Sequence, residues 1–169
     1  MERIKTRNLI MSGLFIAIGV VLPILFHTVN MLGPVFLPMH IPVLIAGFFL
    51  PPYLAMVVGA VTPLLSSVTT GMPILFPMGV IMMFELATYG AFVAWIRGRV
   101  ASDYVALLSA MLIGRAVAGL VVFVLSIGFG VKMNALLFVK GGIVTGLPGI
   151  AVQLILIPIV VRALRKILK

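Results

Sequence analysis

Cysteine is absent from the chain, and only three residues are acidic: Glu2, Glu85 and Asp103. Without cysteine there is no disulfide, no thiolate nucleophile and none of the commonest zinc centres. The two histidines, His27 and His40, have no cysteine or carboxylate near them in sequence, which is weak material for a metal site; a role in interface or helix-cap packing is the expectation for both. Charged residues make up 9% of the chain, against about 25% in an ordinary soluble domain. No GxxxxGK[ST], HExxH or GxSxG occurs. The chain therefore cannot hydrolyse ATP alone, holds no catalytic constellation, and leaves no room for a soluble catalytic or nucleotide-binding domain.

What is present is apolar. Hydrophobic residues account for 63% of the 169 positions, and they fall in stretches of about 20, the length of one helical crossing of a bilayer. Inside lipid the backbone must satisfy its own hydrogen bonds, so these runs are expected to be helices. Six are expected, over residues 8–26, 38–50, 53–68, 78–96, 104–126 and 139–161. The expected fold is an all-α integral membrane protein, with residues 1–169 forming a single transmembrane domain. The first run follows a basic start, as in a signal peptide. It is longer than a signal core and no small-residue cleavage site follows, so it is read as a retained helix.

The net charge of +9 invites a nucleic-acid partner, but position argues against one. Arg3, Lys5, Arg7, Arg97, Arg99, Arg162, Arg165, Lys166 and Lys169 all sit just outside apolar runs, where the positive-inside rule places them. Both termini are thus expected in the cytoplasm. Tyr53, Trp95 and Tyr104 fall at the same expected interface, where amphipathic rings are enriched. Residues 27–37, 69–77 and 128–138 become the outside loops.

Ionisable residues inside apolar runs are costly unless paired, and they mark function by default. Glu85 and Arg115 both lie about 18 Å from the basic interface at about 1.5 Å per residue, so they can meet. Two readings stay open: an ion pair fixing two helices, or contacts to a polar ligand in an outward-facing cavity. Tyr89 lies one turn from Glu85 on the same face. Lys140 and Asn134 are further candidates near the outside end. Counting Glu85, Arg115 and Lys140 gives −1 + 1 + 1 = +1, which favours an anion. Gly13 and Ala17 make a small-xxx-small face on the first helix, suited either to packing within the bundle or to docking a separate membrane subunit.

Several runs carry a family resemblance. Phe36-Leu-Pro-Met-His-Ile-Pro-Val-Leu-Ile-Ala-Gly47, Gly59, Thr62-Pro63-Leu-Leu-Ser-Ser67, Thr70-Gly-Met-Pro73 and Phe84-Glu-Leu-Ala-Thr-Tyr-Gly90 together resemble the substrate-binding S components of energy-coupling factor (ECF) vitamin transporters. The resemblance implies an S-component bundle of six transmembrane helices in a prokaryotic plasma membrane. It further implies capture of a vitamin or precursor from outside and docking on a scaffold membrane subunit with two ABC ATPases, which alone use ATP. Toppling in the membrane would then release the ligand inside. On this resemblance Gly13 and Ala17 map to the docking face, where the family usually has alanine at both places. Residues 27–37 map to a lid, and Glu85, Tyr89, Arg115, Asn134 and Lys140 are candidate substrate contacts. The motif set looks nearest the pantothenate-type branch. The alternatives are a neutral pyridine or pyrimidine vitamin, should Arg115 only neutralise Glu85, or a self-sufficient gradient-driven carrier. No cofactor, metal or nucleic acid is expected.

Overall fold

The computed structural model describes residues 5–27, 33–100 and 102–167. Among these the secondary structure is helical throughout: α1 (Thr6–His27), α2 (Gly33–Phe36), α3 (His40–Phe49), α4 (Pro52–Thr70), α5 (Val80–Ile96), α6 (Asp103–Phe129) and α7 (Ala135–Ile167). A single π turn, Leu75–Gly79, leads into α5. Five segments are long and apolar enough to cross a membrane: Thr6–Phe26, Pro52–Thr70, Leu75–Ile96, Asp103–Phe129 and Ala135–Ile167. They carry large apolar side chains on their outer surfaces, including Leu14, Val68, Leu112, Ile127 and Ile155, which is the pattern of a bundle solvated by lipid.

The second expected crossing is the exception. All six expected runs are helical, but α3 has only 10 residues, about 15 Å of helix against a hydrocarbon core of about 30 Å. Every residue from His40 to Phe48 is buried, so α3 is apolar on all sides because it lies inside the bundle. Its C-terminal end is fixed by Arg97, whose Nη2 donates to the Leu50 carbonyl at 3.2 Å. Its N-terminal end stops part-way along the bundle, level with Glu85. Of the expected outside loop over 27–37, residues 28–32 lie outside the described residues. The remainder does pack back onto the bundle: the Val35 and Phe36 backbone lies so close to Gly149 that a Cβ there would meet the Val35 carbonyl at 2.6 Å.

Arg97, Arg99, Arg162, Arg165 and Lys166 collect at one end. Arg165 makes a two-pronged contact with Asp103, both N–H···O distances being 3.1 Å. Arg99 lies over the Trp95 ring at 4.4 Å, and Tyr53, Trp95 and Tyr104 are exposed there. α4 and α5 form the closest pair. A Cβ on Gly59 would strike the Leu86 carbonyl, and one on Gly90 the Ala55 carbonyl, so two glycines let these backbones touch. α1 packs Gly19 against Thr62 and Pro42. Four residues on, Pro23 reaches the cavity described below, so α1 runs away from the basic end.

Candidate functional site

Glu85 lies 11 positions before Ile96 on α5, and Arg115 lies 12 after Asp103 on α6. Both are therefore about 17–18 Å from the basic end, and they meet: Arg115 Nη1 is 3.1 Å from Glu85 Oε1. Tyr89, one turn along α5, donates its hydroxyl to the same oxygen at 2.8 Å. The Tyr89 ring fits because position 114 of the facing helix is glycine; any Cβ there would overlap the ring. The Glu85 side chain is only 3% exposed, and its charge is tolerable there because it is paired and hydrogen-bonded.

The half-length of α3 brings a third helix to this point. His40, its first residue, places Nε2 3.9 Å from Glu85 Oε1 and its ring 5.5 Å from that of Tyr89. That separation is too long for a hydrogen bond, and neither ring nitrogen has a partner among the described residues. The N-terminal end of α3 is thereby turned toward a carboxylate, the favourable sense for the helix dipole. Just before it, Leu37 adopts a left-handed backbone, φ 50, which costs a side-chain-bearing residue about 1–2 kcal/mol. Its carbonyl accepts from His40 N at 3.0 Å and from Gln153 Nε2 at 3.4 Å.

From this cluster a cavity of about 370 Å³ extends away from the basic end. Its polar wall is His40, Glu85, Arg115 and Thr145. Met39, Met72, Met78, Met82 and Phe138 supply most of the apolar wall, and Gly141 and Gly142 leave room on α7. This volume lies in the range of small-molecule sites, which are mostly apolar with a few placed polar groups. A smaller cavity of about 130 Å³, bordered by Tyr89, Met111 and Gln153, lies on the basic side. Leu37, His40 and Arg115 border both and so divide them.

Three hydroxyls hold one side of the larger cavity. α4 ends at Gly71, φ 75, and the chain turns back on itself. The Ser66 hydroxyl lies 2.7 Å from the Met72 carbonyl and the Ser67 hydroxyl 2.6 Å from that of Pro73. Thr70 Oγ1 accepts from Met72 N at 3.2 Å. Ser67 Oγ is also 2.8 Å from the Pro63 carbonyl of its own helix; one proton serves one acceptor at a time. Each bond is worth about 1 kcal/mol. A Ser66→Ala, Ser67→Ala double variant is expected to keep α4 intact while Met72 and Pro73 loosen, raising the ligand dissociation rate roughly tenfold. Unchanged dissociation in a stopped-flow chase would show that the clamp does not hold the wall.

Of the five candidate contacts, Glu85 and Arg115 line the larger cavity, and Tyr89 stands behind Glu85 beside the smaller one. Asn134 is exposed, with its Oδ1 taking the Leu137 N–H at 3.0 Å as a helix cap. Lys140 is also exposed, and neither residue is among those bordering the cavity. His40, the methionines and Thr145 complete the wall without having been among the five candidate contacts. His40 carried a usable signal, an imidazole inside an apolar run. Reading the short run over residues 38–50 as a crossing left His40 at its outside end instead of beside Glu85.

The family profile described as "ECF transporter, substrate-specific component" matches residues 7–161. No curated protein and no solved structure matches the chain. With 7–161 of its 169 residues matched, and apolar helices enclosing a ligand-sized cavity, the chain belongs to the substrate-specific components of ECF transporters: integral membrane proteins, not enzymes, that capture a small molecule for an importer whose scaffold and ATPases are separate subunits.

Proposed function

We propose that the chain takes its substrate from outside the cell into the 370 Å³ cavity and delivers it, docked through Gly13 and Ala17, to a scaffold driven by two ATPases. The observation that carries this reading is the cavity itself, closed toward the basic end by the Glu85–Arg115–Tyr89 cluster and lined by apolar side chains beyond it. The collection of Arg97, Arg99, Arg162, Arg165 and Lys166 at one end supports a cytoplasmic location for that end and for both termini. On this reading α2 and α3 together make the sixth crossing, broken at residues 37–39. Broken helices at mid-depth are a recurring way for transporters to bring backbone ends to a binding site.

The charge count for the ligand changes with the geometry. Lys140 does not border the cavity, which leaves Glu85 and Arg115, −1 + 1 = 0. The excess positive charge that favoured a carboxylate such as pantothenate is gone, and the neutral pyridine or pyrimidine vitamin fits better. The experiment has two arms. Native mass spectrometry of the purified chain is expected to show one small molecule bound per chain. Proteoliposomes are expected to take it up only when scaffold and ATPases are present. Uptake by this chain alone under an ion gradient would replace the reading with that of a self-sufficient carrier.

A further inference from the structure

Glu85 Oε1 takes both the Tyr89 hydroxyl and the contact with Arg115 Nη1. Among the described residues no hydrogen bond reaches Glu85 Oε2, and beyond that one contact no protein acceptor engages the Arg115 guanidinium. Both side chains border the larger cavity. A carboxylate oxygen without a donor therefore stands beside a fork of N–H groups without acceptors, on the wall of a ligand-sized space. We infer that the cavity selects a net-neutral, flat heterocycle carrying a hydrogen-bond donor next to an acceptor, the edge of a carboxamide, lactam or pyrimidinone, with Glu85 Oε2 taking the N–H and Arg115 giving to the C=O. This rests on the capture reading above and specifies its ligand.

The surrounding wall fits such a molecule. Met39, Met72, Met78 and Met82 face the cavity, and thioethers make favourable contacts with aromatic rings while adapting to their outline. Gly141 and Gly142 border it on α7, where Gly142 lies so close to Arg115 that a Cβ would sit 3.0 Å from Nη1. A side chain there would leave the guanidinium less room at its place. An anionic ligand meets repulsion from Glu85 as well as attraction from Arg115, and between groups this buried both are screened far less than in water. A neutral donor–acceptor edge satisfies both groups without adding charge, and a buried polar group left unmatched costs the wrong ligand heavily.

The test uses the complete chain in nanodiscs, depleted of bound small molecules, and four probes: nicotinamide and nicotinate, which share a ring but differ in amide against carboxylate, with thymine as a pyrimidinone and pantothenate as an aliphatic anion. At least one neutral probe is expected to bind ten times more tightly than either carboxylate. Glu85→Gln is expected to erase most of that preference, because it removes the charge that rejects anions. Tyr89→Phe, a milder change, is expected to weaken neutral binding without reversing the order. Tighter binding of nicotinate or pantothenate, or binding of none of the four, overturns the inference. Co-purification with scaffold and ATPases is read on the same samples. If that assembly forms while a carboxylate wins, only the ligand class falls; if the chain never assembles, the capture reading falls.

Discussion

Arg115→Met is expected to destabilise the bundle more than any other single change at the site. It leaves the Glu85 carboxylate, 3% exposed, with only the Tyr89 hydroxyl and a histidine 3.9 Å away. Removing one member of a buried ion pair costs about 3–5 kcal/mol, because the survivor keeps its desolvation penalty without its partner. Glu85→Gln should cost less. Its side chain still accepts from Tyr89, and the stranded Arg115, 11% exposed and bordering two cavities, can be hydrated. The double variant should recover most of the loss, since no charge is then stranded. The expected order of thermal stability in detergent is wild type, double variant, Glu85→Gln, Arg115→Met. Ligand binding should not return in the double variant, because the pair also forms the polar wall. An Arg115→Met protein as stable as wild type would show that Glu85 is held by other means.

That double role explains why the sequence alone left two readings of the pair open. Counting residues from the basic ends of two helices was enough to bring Glu85 and Arg115 together, because both α5 and α6 cross without interruption. No such count was available for His40, which was expected to pack at an interface or helix cap. An entirely apolar run with no polar face does not announce whether it crosses the membrane or ends half-way, and α3 ends half-way. The run's short length was legible over residues 38–50, but reading it as a crossing left His40 at the outside end, away from Glu85. Asn134 and Lys140 entered as candidates on chemistry and nearness to the outside end, with no helix face to test them; in the folded chain one caps α7 and both are exposed. Ser66, Ser67, Thr70 and Met72 stood in plain view within the family-like runs. Their work depends on a fold-back after Gly71 that creates the contacts, and hydroxyls in a helix otherwise read as bonded to their own backbone. Methionines that line a cavity cannot be told by type from those that fill a core.

Gly13→Leu and Ala17→Trp are expected to abolish transport while leaving substrate binding untouched. α1 turns Ser12, Phe15 and Gly19 inward, with Ser12 and Phe15 each 6% exposed. Gly13 and Ala17 are exposed on the outer surface, and a Cβ on Gly13 would meet nothing within 4 Å. A larger side chain there strains nothing in the isolated chain, and leucine is the better helix former by roughly 1 kcal/mol. Gly13→Leu should therefore be at least as heat-stable as wild type, and both variants should bind substrate with the same affinity. A helix of a partner subunit needs close backbone approach at a small-xxx-small face, and a leucine or indole holds it off by several ångströms. Co-purification with the scaffold and ATP-dependent uptake should both be lost. Ile10→Leu, which keeps side-chain volume unchanged at an exposed apolar position of the same helix, should leave both intact. Uptake that survives in the Gly13 and Ala17 variants would move the docking surface to another face of the bundle, while lost substrate binding would mean that α1 shapes the cavity from a distance.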